Sequence, residues 1–232
     1  MSEDNPPVGA ALDWRPVAPP KRATLPGRYV RLEPVDPARH AADLFALSAP
    51  APRLWTYMGY GPFADAAAFR TWLEGCARSA DPLFFAVVDE ATGRASGMVS
   101  YLRMAPEMGV IEIGHIWFAP VLQRSRQATE AIFLLMRHVF DDLGYRRLEW
   151  KCDALNAASR RAAARFGFTF EGVFRQHMVY KGRNRDTAWF AIIDREWPAI
   201  RAAFERWLAP ENFTADGRQR QGLAARAGAA QR

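Results

Sequence analysis

Two adjacent stretches of the chain carry residue types able to do chemistry. The first is Glu112-Ile-Gly-His-Ile-Trp-Phe-Ala-Pro120, where a carboxylate and an imidazole interrupt an apolar run. The second, directly after it, is Gln123-Arg-Ser-Arg-Gln-Ala-Thr-Glu130. Desolvation among apolar neighbours raises a carboxylate's pKa toward that of a general base, which makes Glu112 the first candidate, equally readable as a strand carboxylate paired across the sheet. His115 competes with it. Three residues apart on a regular strand, Glu112 and His115 point to opposite faces, so both line one site only if a bulge intervenes, and Gly114 is the place for one. A strand that ends at Pro120 and feeds a helix leaves backbone N–H groups unpaired at the helix start, a corner suited to a phosphate or pyrophosphate. Arg124 and Arg126 either add to such an anion site or are solvated loop charges.

The elements that must position these residues are readable from periodicity. Residues 28–33 alternate as a half-buried strand, and Asp36-Pro37 opens a helix through Leu47; a second helix over 65–78 presents Phe69, Trp72, Leu73 and Cys76 at helical spacing. Strand signals follow at 83–88, 97–103 and 110–118, joined by short connections that imply an antiparallel meander. A long helix covers 126–143 and stops at Gly144. Then come a strand at 147–152, a short helix at 156–166 closed by Gly167, and a hairpin of 169–180 with 186–193 turning at 181–184. An amphipathic helix spans 194–208. The predicted class is α+β (α/β-like): one mixed, mostly antiparallel sheet of six or seven strands flanked by helices.

Gln123-Arg-Ser-Arg-Gln-Ala-Thr-Glu-Ala resembles the pyrophosphate-binding motif (Q/R)xxGx(G/A) of the Gcn5-related N-acetyltransferases, the GNAT family. The flanking motifs agree in order. Residues 112–120 look like that family's fourth strand, 156–175 like its Asn-x-x-Ser helix and following Gly-Phe strand, and 180–198 like the ending common in its RimJ/RimL-like branch. The likeness covers about residues 24–208. It implies acetyl-CoA as cofactor, with the pyrophosphate on the backbone of Arg124, Ser125, Arg126, Gln127, Ala128 and Thr129 behind Gln123. It also implies the pantetheine arm along Ile116, Trp117 and Phe118, and contacts from Asn156 and from Ser159 near the thiol. Asn156 reads equally well as a helix N-cap. Two positions depart from the pattern: Arg126 stands where the family usually has glycine, and Ala163 where many members carry a tyrosine that protonates the thiolate, which leaves Ser159 or water for that task.

The resemblance further implies that the aromatic loop holding Trp55 and Tyr57 covers the acceptor, opposite a hairpin that carries His177. The expected function is transfer of an acetyl group to a primary amine, on a small molecule or a protein N-terminus, by direct attack. The alternatives are a non-catalytic acyl-CoA-binding sensor and an RNA-binding protein acting through its arginine-rich end.

Composition sets the remaining limits. The chain has 232 residues, half of them apolar, and no run long enough for a membrane-spanning helix or a secretory signal, so the expected location is the cytoplasm. Two cysteines exclude a disulfide framework, and His40, His115, His138 and His177 lack metal-ligand spacing, so no metal is expected. The net charge of +6 includes four arginines after Asp216, leaving residues 1–217 at only +2. Neither a nucleic-acid nor a membrane partner is therefore expected, while a homodimer is compatible with the chain. Residues 1–23, rich in proline, read as a disordered leader, and 209–232 as a solvated tail, on either side of one domain at 24–208.

Overall fold

The computed structural model describes residues 6–226. Its centre is one eight-stranded sheet, in the order β1-β2-β3-β4-β5-β6-β8-β7. The strands are β1 (Leu25–Pro26), β2 (Val30–Pro34), β3 (Leu83–Asp89), β4 (Ala95–Ala105), β5 (Val110–Phe118), β6 (Arg147–Asp153), β7 (Thr169–Tyr180) and β8 (Arg183–Ile193). The strand beyond the seven expected is β1, two residues whose brief pairing with β2 leaves no periodicity to read. Pairing is antiparallel throughout except between β5 and β6, which a single helix joins as a parallel crossover, whereas two helices separate β2 from β3 and return the chain antiparallel. The β7–β8 turn is tighter than expected: Tyr180 pairs with Arg183, and Lys181 and Gly182 both have positive φ, the two-residue geometry that matches strand twist.

Five helices cover the sheet: α1 (Pro37–Ser48), α2 (Ala66–Arg78), α3 (Arg126–Arg137), α4 (Ala157–Arg165) and α5 (Trp197–Leu208). Four starts are capped, with Asp36, Asp65, Ser125 and Asn156 each accepting a first-turn backbone N–H. One sheet face buries Phe85, Tyr101, Ile111, Ile113 and Leu148 under α3 and α5. The other buries Phe84, Ala86, Met98 and Trp117 under α1 and α2. With both faces covered, β3 is apolar at every position from Leu83 to Val88 rather than alternating.

The α3 start is anchored by Glu130, whose carboxylate accepts the backbone N–H groups of Arg28, Tyr29 and Val30 at 2.6–2.9 Å. The flanking segments also have fixed partners. Trp14 Nε1 donates to Glu107 O, and Arg226 reaches both Gly167 O and Glu196. Where composition suggests solvated ends, residues 6–24 lack regular structure and are mostly exposed, though Trp14, Val17 and Arg22 bond to the body, and 210–226 fold back along α5. The outermost residues of the predicted leader and tail lie outside the described residues.

Candidate active site

β5 and β6 pair from Val110↔Arg147 to Ile113↔Trp150 and then part, while β5 stays with β4 as far as Phe118 and β6 stays with β8 as far as Asp153. The gap opens into a cleft of about 1110 Å³, at the upper end of the range for small-molecule sites. Ile116, Trp117 and Phe118 line it from β5; Gln123, Arg124, Ser125, Arg126, Gln127, Ala128 and Thr129 line it from the α3 corner, and Asn156 and Ser159 from α4. The structure thus gathers every residue expected to touch the cofactor around one cavity.

At the α3 corner, Gln123 Nε2 donates to Phe118 O at 2.8 Å, which ties the loop back to the strand end. Ser125 donates to Leu122 O and accepts from Ala128 N. Arg124 has a φ of +60°, turning the chain sharply before the helix. Among the described residues, the backbone N–H groups of Arg124, Ser125, Arg126 and Gln127 have no protein acceptor. The Arg126 side chain extends to Tyr29, its guanidinium 4.4 Å from the ring centroid. Among the described residues, five arginines line the cleft (Arg53, Arg124, Arg126, Arg165 and Arg218), and no carboxylate does. A cavity so charged fits a polyanion.

Deeper in the cleft, Asn156 Oδ1 caps α4 by accepting Ser159 N, and Ser159 Oγ accepts from Trp150 Nε1 at 3.0 Å. The serine hydroxyl keeps its proton to donate. Burial pushes the neighbouring Cys152 thiol up, with Ser159 opposing the shift. Ala163 is buried and offers no proton.

Glu112 lies on the sheet face opposite Ile111 and Ile113, outside the cleft. Its carboxylate is 2.7 Å from Lys151 Nζ and 3.6 Å from Arg103. Burial raises its pKa, with Lys151 as the main opposing influence. Lys151 also meets Glu149 at 3.2 Å and sits 3.7 Å over the Trp189 ring.

The bulge that would let Glu112 and His115 share a face exists. Ser100 pairs with Gly114 and Met98 with Trp117, so His115 and Ile116 together oppose Val99 alone, and His115 takes a φ of +48°. The extra residue turns His115 onto the face holding Glu112. There its ring stacks on Tyr60, with Tyr60 Oη 3.1 Å from Nδ1, and packs against Phe84. Burial, helped by Arg185, pushes the imidazole pKa down to about 4, so His115 is neutral near pH 7.

The acceptor-side expectations fare differently. Trp55 is no wall: only 2% exposed, it packs among Tyr60, Phe63, Trp72 and Trp117. An aromatic-rich loop can fold inward as readily as outward, and this one carries its own small core. Tyr57 lines the cleft instead, its hydroxyl reaching Leu155 O at 3.2 Å. His177 is exposed on β7, with Nδ1 2.9 Å from Thr187 Oγ1 and its ring near Trp189, on the side where Glu112 and Lys151 meet. Sequence reasoning missed Lys151 and Arg165. The first follows from cross-strand register, which leaves no local signal. Arg165, one helical turn beyond Arg161 on α4, was visible as a charge but not as a cleft residue.

Comparison with known proteins agrees with this geometry. The family model described as "Acetyltransferase (GNAT) domain" matches residues 30–169. A GCN5-related N-acetyltransferase from Brucella melitensis superposes with a TM-score of 0.89 at 52% identity, covering 91% of this chain and 96% of that one. A probable acetyltransferase of the GNAT family from Chromobacterium violaceum superposes with a TM-score of 0.77 at 45% identity, covering 84% and 100%. A Bacillus subtilis protein named "Putative ribosomal N-acetyltransferase YdaF" is 28% identical over 105 residues, 45% of this chain, and the match spans 57% of that relative's length. A split sheet with an arginine-lined cleft, the matched domain and these neighbours lead to one assignment: the chain belongs to the GNAT acetyltransferase family.

Proposed function

We propose that the chain is an acetyl-CoA-dependent N-acetyltransferase whose acceptor is a primary amine, carried by a small molecule or a protein N-terminus. The observation that carries this reading is the cleft itself, with four unpartnered backbone N–H groups and four arginines at one end and the parted β5 and β6 strands at the other. The N–H groups of 124–127 suit a pyrophosphate at a helix start. The free backbone edge of β5 beyond Ile113 suits an amide-bearing arm, which would lie along Ile116, Trp117 and Phe118 with Asn156 and Ser159 opposite.

When bound, acetyl-CoA supplies an activated acyl group. The protein's own residues do the rest from two sides of the sheet. Glu112, on the face away from the cleft, takes the proton of the incoming ammonium directly or through water, its affinity for that proton raised by burial. His115, neutral, holds Tyr60 in place beside the parted strands. Ser159 is the hydroxyl able to donate where a thiolate departs, since Ala163 cannot. The relative named as a ribosomal N-acetyltransferase supports a ribosomal component among the acceptors.

A sensor that binds acyl-CoA without turnover is the second reading, favoured by Ala163. Thiol release from acetyl-CoA across a panel of amines, run beside a thermal-shift titration, separates the two. Saturating acetyl-CoA should stabilise the fold by about 2.7 kcal/mol at a hundredfold excess over Kd. A shift with thiol release supports the enzyme, a shift without it the sensor, and no shift removes both.

A further inference from the structure

The segment after α5 lies beyond the matched domain, and its composition marks it as a tail, yet it forms one wall of the cleft. Phe213 and Gln219 pair as an isolated antiparallel bridge, closing a tight loop whose inner side presents Phe213, Gly217, Arg218 and Gln219 to the cavity. The loop is tied to both helices at the anion corner. Arg126, from the α3 start, spans Tyr29 and Phe213, at 4.4 and 5.4 Å from the ring centroids. Arg165, from the α4 end, lies 5.0 Å over Trp207 and donates to Thr129 Oγ1 at 3.1 Å. Trp207 completes the ring, edge-on to Phe213 and donating Nε1 to Gln219 Oε1 at 2.8 Å.

We propose that residues 213–219, with Arg126 and Arg165, hold the 3′-phosphate of the coenzyme, so that this C-terminal loop is part of the acyl-CoA site. The proposal rests on the acyl-CoA reading above. Positive charge is left over at this end of the cleft. Four N–H groups at a helix start are enough for a pyrophosphate, yet four of the five cleft arginines crowd this same end. Arg124, Arg126 and Arg165 have no carboxylate within 4 Å among the described residues, and Arg218 meets only Asp216, on the exposed rim. Phe213 and Trp207 are buried, so they serve as platforms for guanidinium groups rather than as open faces for a base to stack on. What this end recognises is therefore a second anion. A 3′-phosphate, close to a dianion at neutral pH, is the group that distinguishes the coenzyme from its dephosphorylated precursor.

Isothermal titration of the full chain with coenzyme A and with 3′-dephospho-coenzyme A tests this. Removing residues 210–232 would uncover Trp207 and risk unfolding, so point variants are used. The unmodified protein should bind coenzyme A roughly tenfold or more tightly than the dephosphorylated form, as one lost charge-assisted hydrogen bond implies. Arg218→Gln and Arg165→Gln should each shrink that ratio several-fold, chiefly by weakening coenzyme A, with Arg218→Gln leaving the melting temperature unchanged. Equal affinity for the two ligands, or a ratio that neither substitution moves, overturns the proposal and reduces the loop to a cover for Trp207. Failure of both ligands to bind the unmodified protein overturns the coenzyme reading as well.

Discussion

Lys151 Nζ lies 2.7 Å from the Glu112 carboxylate and 3.2 Å from that of Glu149. The parallel register sets Glu112 directly opposite Glu149, an arrangement of like charges that costs stability unless a cation bridges it. Lys151 is that cation, and it opposes the burial that would otherwise drive the Glu112 pKa higher still.

If Glu112 is the base, Glu112→Gln should lower kcat/KM by about 10²–10⁴-fold while acetyl-CoA affinity stays near that of the unmodified protein, because Glu112 lies outside the cleft. Lys151→Met should instead move the acidic limb of the kcat/KM profile to higher pH, by roughly a unit or more. An unmoved limb would show that Lys151 does not set the protonation of Glu112, and an undiminished rate in the glutamine variant would pass the role to water.

His115 should make the fold acid-sensitive in a defined window. Its folded pKa of about 4 lies below the ordinary 6.5, so between these values the unfolded chain takes up a proton that the folded chain refuses. Stability held above pH 6.5 is therefore lost as pH falls toward 4. Urea titrations at pH 7.5, 6, 5 and 4 should show a steeper decline for the unmodified protein than for His115→Gln. Parallel curves would mean that the imidazole is not held neutral by its burial.

Trp55→Ala should act on folding rather than on the acceptor. Deleting a buried indole packed by four aromatic rings costs about 3–5 kcal/mol. Equilibrium unfolding would register that loss. A variant of near-normal stability with a raised KM for the amine would restore the loop as a substrate wall.

Arg126→Gly brings back the residue usual in the family and should still weaken the site. The substitution removes the guanidinium from Tyr29 and Phe213, a contact worth about 0.5–2 kcal/mol, and adds the helical cost of glycine. Acetyl-CoA should bind several-fold less tightly in a fluorescence or calorimetric titration. Tighter binding would mean that the arginine only obstructs backbone approach.

The sequence by itself determined what local rules govern. Asp36-Pro37 and Asn156 marked helix starts to within a residue, and the strand-to-helix corner at 120–126 was legible as a turn into a helix, because both depend on neighbours a few positions away. The tertiary structure alone decided which faces meet. A one-residue bulge at His115 reverses a strand's alternation without altering its composition, so the shared face of Glu112 and His115 had to be seen. Lys151 became important only once register put two carboxylates beside it. Trp55 and the 213–219 loop show the same limit from opposite sides. One aromatic expected at the surface found a core, and one polar segment expected in solvent found aromatic and arginine partners distant in sequence, since burial is set by what the rest of the chain brings near.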